Sequence, residues 1–342
     1  MNMNKKRVLV TGGAGYIGAH TVVELIEGGY DPVIIDDFSK SDDTLLKGIT
    51  DLTGVTPSFV EGNCADPKVM VKLFEAHGPF ECVLHFAAYK SVGESVQEPL
   101  MYHRNNIESL LTLLDVMKKF GLKNLIFSSS CTVYGQPDHI PVDEATPFRR
   151  AESPYGATKQ ICERILEDCF NAGYRIVSLR YFNPIGAHPS GKLGELPIGP
   201  PNNLVPYITQ TAIGIREKLT VHGNDYDTPD GSCIRDYIHV VDVAVAHIKA
   251  MEYLAKLDDP TCYETFNLGT GVGRSVLEVV KTFEATTGVN LNYGIGPRRS
   301  GDVEKVYADP ARLNKAFNWK TKYSLEQALS HAWAWEKNLA SR

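Results

Sequence analysis

The chain has 342 residues, 43% of them hydrophobic and 22% charged, enough to bury a large core and to form two domains. A formal charge of −6 without any long Lys/Arg run argues against nucleic acid as a partner. No stretch approaches the ~20 apolar residues of a membrane span. The N-terminal MNMNKKRVLVTGG reaches two glycines too soon for a secretory signal, so a cytoplasmic protein is expected. The cysteines number seven, an odd total with no CxxC pair, which reads as reduced and mostly buried thiols rather than a disulfide framework or a zinc site.

Strand-like and helical patterns alternate along the first half. RVLVT (7–11), PVIID (32–36), SFVEG (58–62), CVLHFA (82–87), NLIFSSS (124–130) and RIVSLRYF (175–182) read as strands. Between them, Tyr16 to Glu27, Pro67 to Ala76, Asn105 to Phe120 and Tyr155 to Ala172 read as amphipathic helices. This alternation predicts an α/β fold, a doubly wound parallel (Rossmann) sheet. Gly, Pro and Asn concentrate between Pro184 and Pro206, which places a boundary near Pro184. Residues 1–184 are expected to bind a dinucleotide. Residues 185–342 are expected to form a smaller mixed α/β substrate domain, from which segments such as FNLGTG (266–271) could return to the first sheet.

The first predicted strand runs into TGGAGYIGAH. Gly12, Gly15 and Gly18 lie where a turn opens a helix, and missing side chains there let backbone amides approach a pyrophosphate. Glycines also make purely structural turns, so the motif needs its context. The next strand ends at Asp36, 18 residues beyond Gly18, where a carboxylate can accept from an adenosine ribose and repels a 2′-phosphate. NAD is therefore expected over NADP, although Asp37 and the turn that follows could be a solvated loop.

SPYGATK, residues 153–159, has Ser153 as a helix N-cap and Pro154 at the first helical position. Tyr155 and Lys159 then share a helix face. A phenol titrates near 10, and a nearby ammonium together with a positive nicotinamide ring would favour phenolate, making Tyr155 a usable base. The pattern alone arises by accident on many helices. Twenty-five residues upstream, however, FSSSCTVYG ends the fifth predicted strand, where Ser130 or Thr132 could bond a reacting hydroxyl. Three serines at a strand end are otherwise turn chemistry.

GGAGYIG, a strand-end Asp, HFAA, SSS, YxxxK and RYFNP, in this order, resemble the extended short-chain dehydrogenase/reductase family. SVGESV (91–96), RYFNPIGAHPSG (180–191), PNNLVPYI (201–208), GNDYDTPDGSCIRDYIHVVDVA (223–244) and PRRSGD (297–302) narrow the resemblance to the UDP-glucose 4-epimerases, over nearly the whole chain. The resemblance implies bound NAD contacted by Tyr16, Ile17, Asp36, Asp37, Asn63, Cys64, Phe86, Ala87, Ala88, Lys90, Asn105, Tyr155, Lys159 and Phe182. It implies a UDP-sugar contacted by Ser130, Thr132, Tyr155, Asn183, Asn203, Leu204, Arg235, Arg299 and Asp302. The two arginines suit a diphosphate and Asp302 a ribose; without the resemblance each arginine reads as a surface ion pair. Ser275 reads as a helix cap, so FNLGTGVGRSV is not a second dinucleotide site.

The implied reaction is an isomerisation through a transient 4-keto sugar and enzyme-bound NADH, with Tyr155, Lys159 and Ser130 catalytic, and a homodimer is implied as well. The apolar stripes on Asn105 to Phe120 and Tyr155 to Ala172 are equally explained by packing on the sheet. Two positions depart from the family's usual pattern. Asn63 stands where an Asp is common at the adenine end, and its amide oxygen would accept without charge assistance. Val306 stands at the family's sugar-pocket gate, where a smaller residue than Tyr implies room for UDP-GlcNAc and UDP-GalNAc, unless Tyr307 takes the place through a one-residue shift. A 4,6-dehydratase is disfavoured because Cys131–Thr132 replaces the Asp–Glu such enzymes use. Uronate epimerases and decarboxylases are harder to set aside, though decarboxylases typically carry Glu at Thr132. An NAD-sensing protein without catalysis would not need Tyr155, Lys159 and Ser130.

Overall fold

The computed structural model describes residues 5–299 and 302–341. Ser300 and Gly301, inside the PRRSGD stretch, and the first four residues of the N-terminal reading lie outside the described residues.

The first half alternates as the hydrophobic pattern predicts. Its elements are β1 (Arg7–Thr11), α1 (Tyr16–Glu27), β2 (Asp31–Asp36), α2 (Thr44–Thr53), β3 (Ser58–Glu61), α3 (Pro67–His77), β4 (Cys82–His85), α4 (Val92–Gln97), α5 (Pro99–Lys119), β5 (Asn124–Ser130), α6 (Pro154–Phe170) and β6 (Arg175–Tyr181). The second half contains β7 (Asn183–Ile185), α7 (Leu204–Ala212), β8 (Leu219–His222), β9 (Ile234–His239), α8 (Val240–Lys256) and β10 (Cys262–Leu268). After these come β11 (Gly273–Ser275), α9 (Val276–Thr287), β12 (Tyr293–Gly296), β13 (Lys305–Val306), α10 (Ala311–Phe317) and α11 (Leu325–Ala340).

Seven strands form one sheet in the order β10-β6-β5-β4-β1-β2-β3. Every pairing in it is parallel. Right-handed crossovers put helices on both faces, so the central strands are buried on both sides and read as unbroken Val/Ile/Leu runs. Val8, Leu9, Val10, Val33 to Ile35 and Val83 to Leu84 are fully or almost fully buried. All strands point the same way, so their C-terminal ends share one edge, and strand order reverses between β1 and β4, where a crevice opens for ligands.

The expected return to the first sheet is made by β10, whose Phe266 to Leu268 pair with Leu179 to Tyr181 of β6. The helix before it, α8, packs on α1 across the same core. Residues beyond the expected boundary at 184 thus complete the large sheet. The smaller part is built on β9, which pairs with β7 and β13 in parallel and with β11 in antiparallel fashion, while β8 and β12 form a separate parallel pair.

Local signals account for several helix ends. Ser153 accepts from the Gly156 amide and Pro154 opens α6, as the sequence predicts. Ser275, expected to cap a helix, closes a capping box with Glu278 on α9. The helix expected from Asn105 begins instead at Pro99, because proline is pre-organised for a first turn and the polar residues 103–106 only interrupt the apolar stripe.

Beneath the carboxyl edge, Arg180 of β6 pairs with Glu163 of α6 at 2.7 Å, both almost fully buried. Arg180 also donates to the Tyr134 hydroxyl at 2.9 Å and lies over the Tyr134 and Phe148 rings. Removing one charge strands the other in a low-dielectric interior. Arg180→Leu should lower the unfolding free energy by about 3–5 kcal/mol, and Arg180→Leu with Glu163→Leu should cost less than the single change. Urea unfolding of the three chains checks this.

Candidate active site

Three consecutive serines at the end of β5 each meet a residue of α6. Lys159 donates to the Ser128 carbonyl at 2.7 Å. The Ser129 hydroxyl donates to Glu163 in a very short hydrogen bond, and Ser130 is hydrogen-bonded to Tyr155. Because α6 repeats every 3.6 residues, positions 155, 159 and 163 form one stripe that lies along the strand end. The three serines are strand residues, as the reading of NLIFSSS expects, and they dock this helix.

The Tyr155–Lys159 pair is brought together as predicted, with the ammonium 5.9 Å from the phenol ring centroid. Its electrostatics differ from expectation. Burial pushes the Tyr155 phenol up to about 12, and the Ser130 hydrogen bond is what opposes it. Burial also pulls Lys159 down to about 8. The lysine is aimed at the Ser128 carbonyl and Phe127 ring, so within the protein alone desolvation outweighs the attraction that was expected to favour phenolate.

Two hydrogen-bonding atoms on segments at the carboxyl ends of β5 and β6 have no partner. The Thr132 hydroxyl and the Asn183 amide oxygen are buried and unpaired among the described residues. Thr132 packs against Gly156, whose absent Cβ would lie 3.2 Å from the Thr132 carbonyl. A buried polar atom without a partner is costly, and one beside a candidate base marks where a ligand atom belongs.

The glycine loop crosses the carboxyl end of β1. Gly12 has φ +70° and a Cβ there would sit 2.7 Å from the Ala87 amide nitrogen, while one on Gly18 would sit 2.3 Å from the Gly12 carbonyl. Gly15 caps α1 without a side chain, leaving the first-turn amides of Tyr16, Ile17 and Gly18 available to an anion. The Gly15 requirement is milder, since its Cβ would meet only the Gly12 oxygen at 3.3 Å. Gly13, not singled out from sequence, packs on Ile34. These are the features a dinucleotide pyrophosphate needs, and the residues fit it.

The remaining expected cofactor residues line the carboxyl edge, several with side chains already engaged. Asp36 ends β2 and accepts from the Ala14 amide at 3.1 Å and the Ser41 hydroxyl at 2.7 Å, tying the glycine loop to the next turn. Asp37 accepts from the Ser39 amide. Asn63 accepts from the Ala65 amide at 2.7 Å, so the oxygen expected to meet adenine also closes a local turn and keeps one lone pair for a further donor. Tyr16 commits its hydroxyl to the Gly186 carbonyl at 2.6 Å. Cys64 is buried beside them, and all seven cysteines are free thiols. Phe86, Ala87 and Ala88 follow β4, with the Ala87 amide donating to the Thr11 hydroxyl at 3.3 Å and Phe86 against His247. Asn105 donates to Asn106 at 3.1 Å. Asn106, missed from sequence, is the buried one: it binds the Tyr89 backbone on both sides and the Thr158 hydroxyl, joining α5, α6 and the segment after β4.

On the substrate side, Arg299 makes a bidentate pair with Asp302 at 2.7 and 3.2 Å. Arg235 approaches the same carboxylate at 3.8 Å while donating to the Ile234 carbonyl at 2.9 Å. Asp302, expected as an open acceptor, is thus held between two guanidiniums. Phe182 and Val306 share a buried cluster with Val133 and Tyr134, against which Cys131 packs. Tyr307 turns its ring toward Gly273, whose Cβ would lie 2.8 Å away, while Val306 is buried in the cluster with Phe182. Asn203 and Leu204 open α7. Sequence reasoning also missed Asp236, fully buried, which accepts from Thr270, Gly271 and Ala308 and so ties two segments to β9.

A parallel sheet with a glycine loop at its reversal point and a tyrosine–lysine pair on the helix after β5 defines an extended short-chain dehydrogenase/reductase. The family profile described as GDP-mannose 4,6 dehydratase matches residues 9–332. UDP-glucose 4-epimerase of Mus musculus is 46% identical over 340 residues, 97% of each chain. UDP-glucose 4-epimerase 2 of Arabidopsis thaliana is 48% identical over 339 residues, 97% of this chain and 95% of its own. The crystal structure of UDP-glucose 4-epimerase from Bifidobacterium longum in complex with NAD+ and UDP superposes with a TM-score of 0.94 at 43% identity, over 97% of this chain and 98% of its own. The chain belongs to the UDP-glucose 4-epimerase family.

With its folded pKa pulled down to about 8 from 10.5, Lys159 binds fewer protons folded than unfolded between those values. Its charge therefore weakens the cofactor-free fold most below pH ~8, and that cost fades as pH rises toward ~10.5. Lys159→Met should abolish turnover yet melt no lower than wild type at pH 7 without cofactor, an advantage that shrinks by pH 10. Thermal melts at the two pH values check this.

Proposed function

We infer that this chain interconverts UDP-galactose and UDP-glucose as an NAD-dependent isomerase acting at the sugar C4. The observation that carries this reading is a phenol and an ammonium docked on a strand end beside a dinucleotide cradle, with the unpartnered buried Thr132 hydroxyl on the segment that packs against the same helix. Bound NAD would accept a hydride from C4, return it to either face, and supply the positive charge that the buried Tyr155 lacks from its own protein.

The chain's residues do the rest. Tyr155 takes the proton of the 4′-hydroxyl as the carbon is oxidised and gives it back when the carbonyl is reduced. Ser130 and Thr132 hold that oxygen, and Lys159 keeps the ribose end of the cofactor in reach. The 4-keto sugar must present its opposite face before reduction, so the nucleotide has to stay anchored while the sugar turns. Arg235 and Arg299 donate to the diphosphate, Asp302 accepts from the ribose hydroxyls, and Asn183, Asn203 and Leu204 contact the rest of the ligand. On the cofactor side, Gly12, Gly15 and Gly18 admit the pyrophosphate; Asp36 and Asp37 serve the adenosine ribose, Asn63 and Cys64 the adenine, and Phe86 to Ala88, Lys90, Asn105 and Phe182 the remaining length. Elimination of water is not supported, because Cys131, whose thiol burial pushes up to about 12, and Thr132 offer no acid–base pair.

Val306, small and seated beside Phe182, supports a pocket that also admits UDP-GlcNAc and UDP-GalNAc. A homodimer through α5 and α6 is supported by exposed Leu100, Leu111, Ile161 and Phe170 on those helices. No helix among the described residues is long and apolar enough to cross a membrane, and seven free thiols suit the reducing cytoplasm.

Proton NMR of the purified protein with UDP-galactose and no added cofactor should show UDP-glucose forming. Tyr155→Phe should lower kcat by at least about 100-fold; retention of wild-type turnover would remove the phenol from the mechanism. Wild type should also convert UDP-GalNAc, and Val306→Tyr should lose that activity while keeping UDP-galactose turnover. No turnover of UDP-GalNAc by the wild type would end the open-pocket reading.

A further inference from the structure

Glu195 belongs to no motif read above, yet it stands between the two halves of the site. One of its carboxylate oxygens, Oε1, accepts from Lys90 Nζ at 3.0 Å and from Asn203 Nδ2 at 2.6 Å. Lys90 comes from the segment after β4, on the cofactor side, and Asn203 opens α7, on the nucleotide-sugar side.

Three features set this contact apart from an incidental ion pair. The first is what Asn203 gives up. Asparagine at an N-cap ordinarily accepts from the first helical turn, but Asn203 makes no side-chain cap and turns its amide to Glu195. The second is that the post is rigid. The Glu195 carbonyl accepts from Trp335 Nε1 at 2.9 Å, and Gly194 lies so close to the Trp335 ring that a Cβ there would be 2.4 Å away. Leu193, one residue earlier, is fully buried in the main core. The third is an asymmetry of exposure. The Glu195 side chain is 13% exposed and that of Lys90 56%, so the carboxylate is the enclosed partner and the lysine reaches it from the solvent side. With its lysine open to solvent, such a pair adds little stability and serves geometry instead.

We propose that Glu195 is a positioning residue that couples the cofactor and nucleotide-sugar halves of the site, by holding Asn203 for the nucleotide sugar against a post that Lys90 also occupies. The proposal rests on the reading of Lys90 as a cofactor residue and Asn203 as a substrate residue given above. Glutamine at 195 would keep an oxygen for Asn203 and lose the charge that attracts Lys90; alanine would lose both.

Steady-state kinetics of the NAD-loaded enzyme with UDP-galactose test this. Glu195→Ala should raise KM about tenfold, with kcat changed by less than about twofold, the mark of lost binding held equally in ground and transition states. Glu195→Gln should return KM to within about threefold of wild type. Lys90→Ala and Asn203→Ala should deviate from multiplicative losses in kcat/KM by about threefold when combined, and should multiply independently once Glu195→Ala is present. The proposal is overturned if Glu195→Gln is as impaired as Glu195→Ala, if the coupling is absent or survives Glu195→Ala, or if only the melting temperature falls. A wild type that leaves UDP-galactose unchanged retires the functional reading itself, and this proposal with it; an active wild type with indifferent Glu195 variants retires this proposal alone.

Discussion

Docking of one face of α6 on the end of β5 is the constraint from which the rest of the site follows. That face carries a phenol, an ammonium and a carboxylate at 155, 159 and 163, and a buried polar group must find a partner or cost several kcal/mol. The partners are three successive serines, so the helix has one register in which each is satisfied. Arg180 on the next strand then balances Glu163. A shift of the helix by one residue would strand all three groups at once.

This arrangement places function and stability in opposition. Burial works against both charged forms the proposed chemistry would use, pushing the Tyr155 phenol up and the Lys159 ammonium down. The protein holds an incomplete electrostatic site, with a base too weak in isolation and hydrogen-bonding atoms without partners. Such a site gains most from ligands that bring charge and hydrogen-bonding groups together, which suits a cofactor retained through many turnovers.

The smaller part of the molecule achieves its placement differently. Its strands are short, and buried Asp236 gathers Thr270, Gly271 and Ala308 about a single carboxylate. Beside it, β9 and the segment leading into β13 set Arg235 and Asp302 near each other. The crossover after β7 is tied to α1 by Tyr16 and to α11 by Trp335. The face proposed to receive the nucleotide sugar is therefore built from tethered loops on a rigid scaffold, the usual division of labour between loops and sheets.

The sequence by itself determined the parallel sheet, the glycine loop at its reversal point and the Tyr155–Lys159 face, because these depend on periods of two and 3.6 residues and on conformations only glycine adopts. It also marked the caps at Ser153 and Ser275, where a few neighbouring atoms decide the outcome. Motif resemblance extended this to positions such as Arg235 and Val306, which no local pattern distinguishes. Only the tertiary structure decided which side chains are free and which are spent: Asp302 held by Arg299, Asn63 closing its own turn, Asn106 rather than Asn105 buried, Glu195 shared between Lys90 and Asn203. Those pairings join residues up to 105 positions apart in the chain. Hydrogen-bond partners and desolvation are properties of the packed interior, and neither is written in the spacing of residues along a strand or helix.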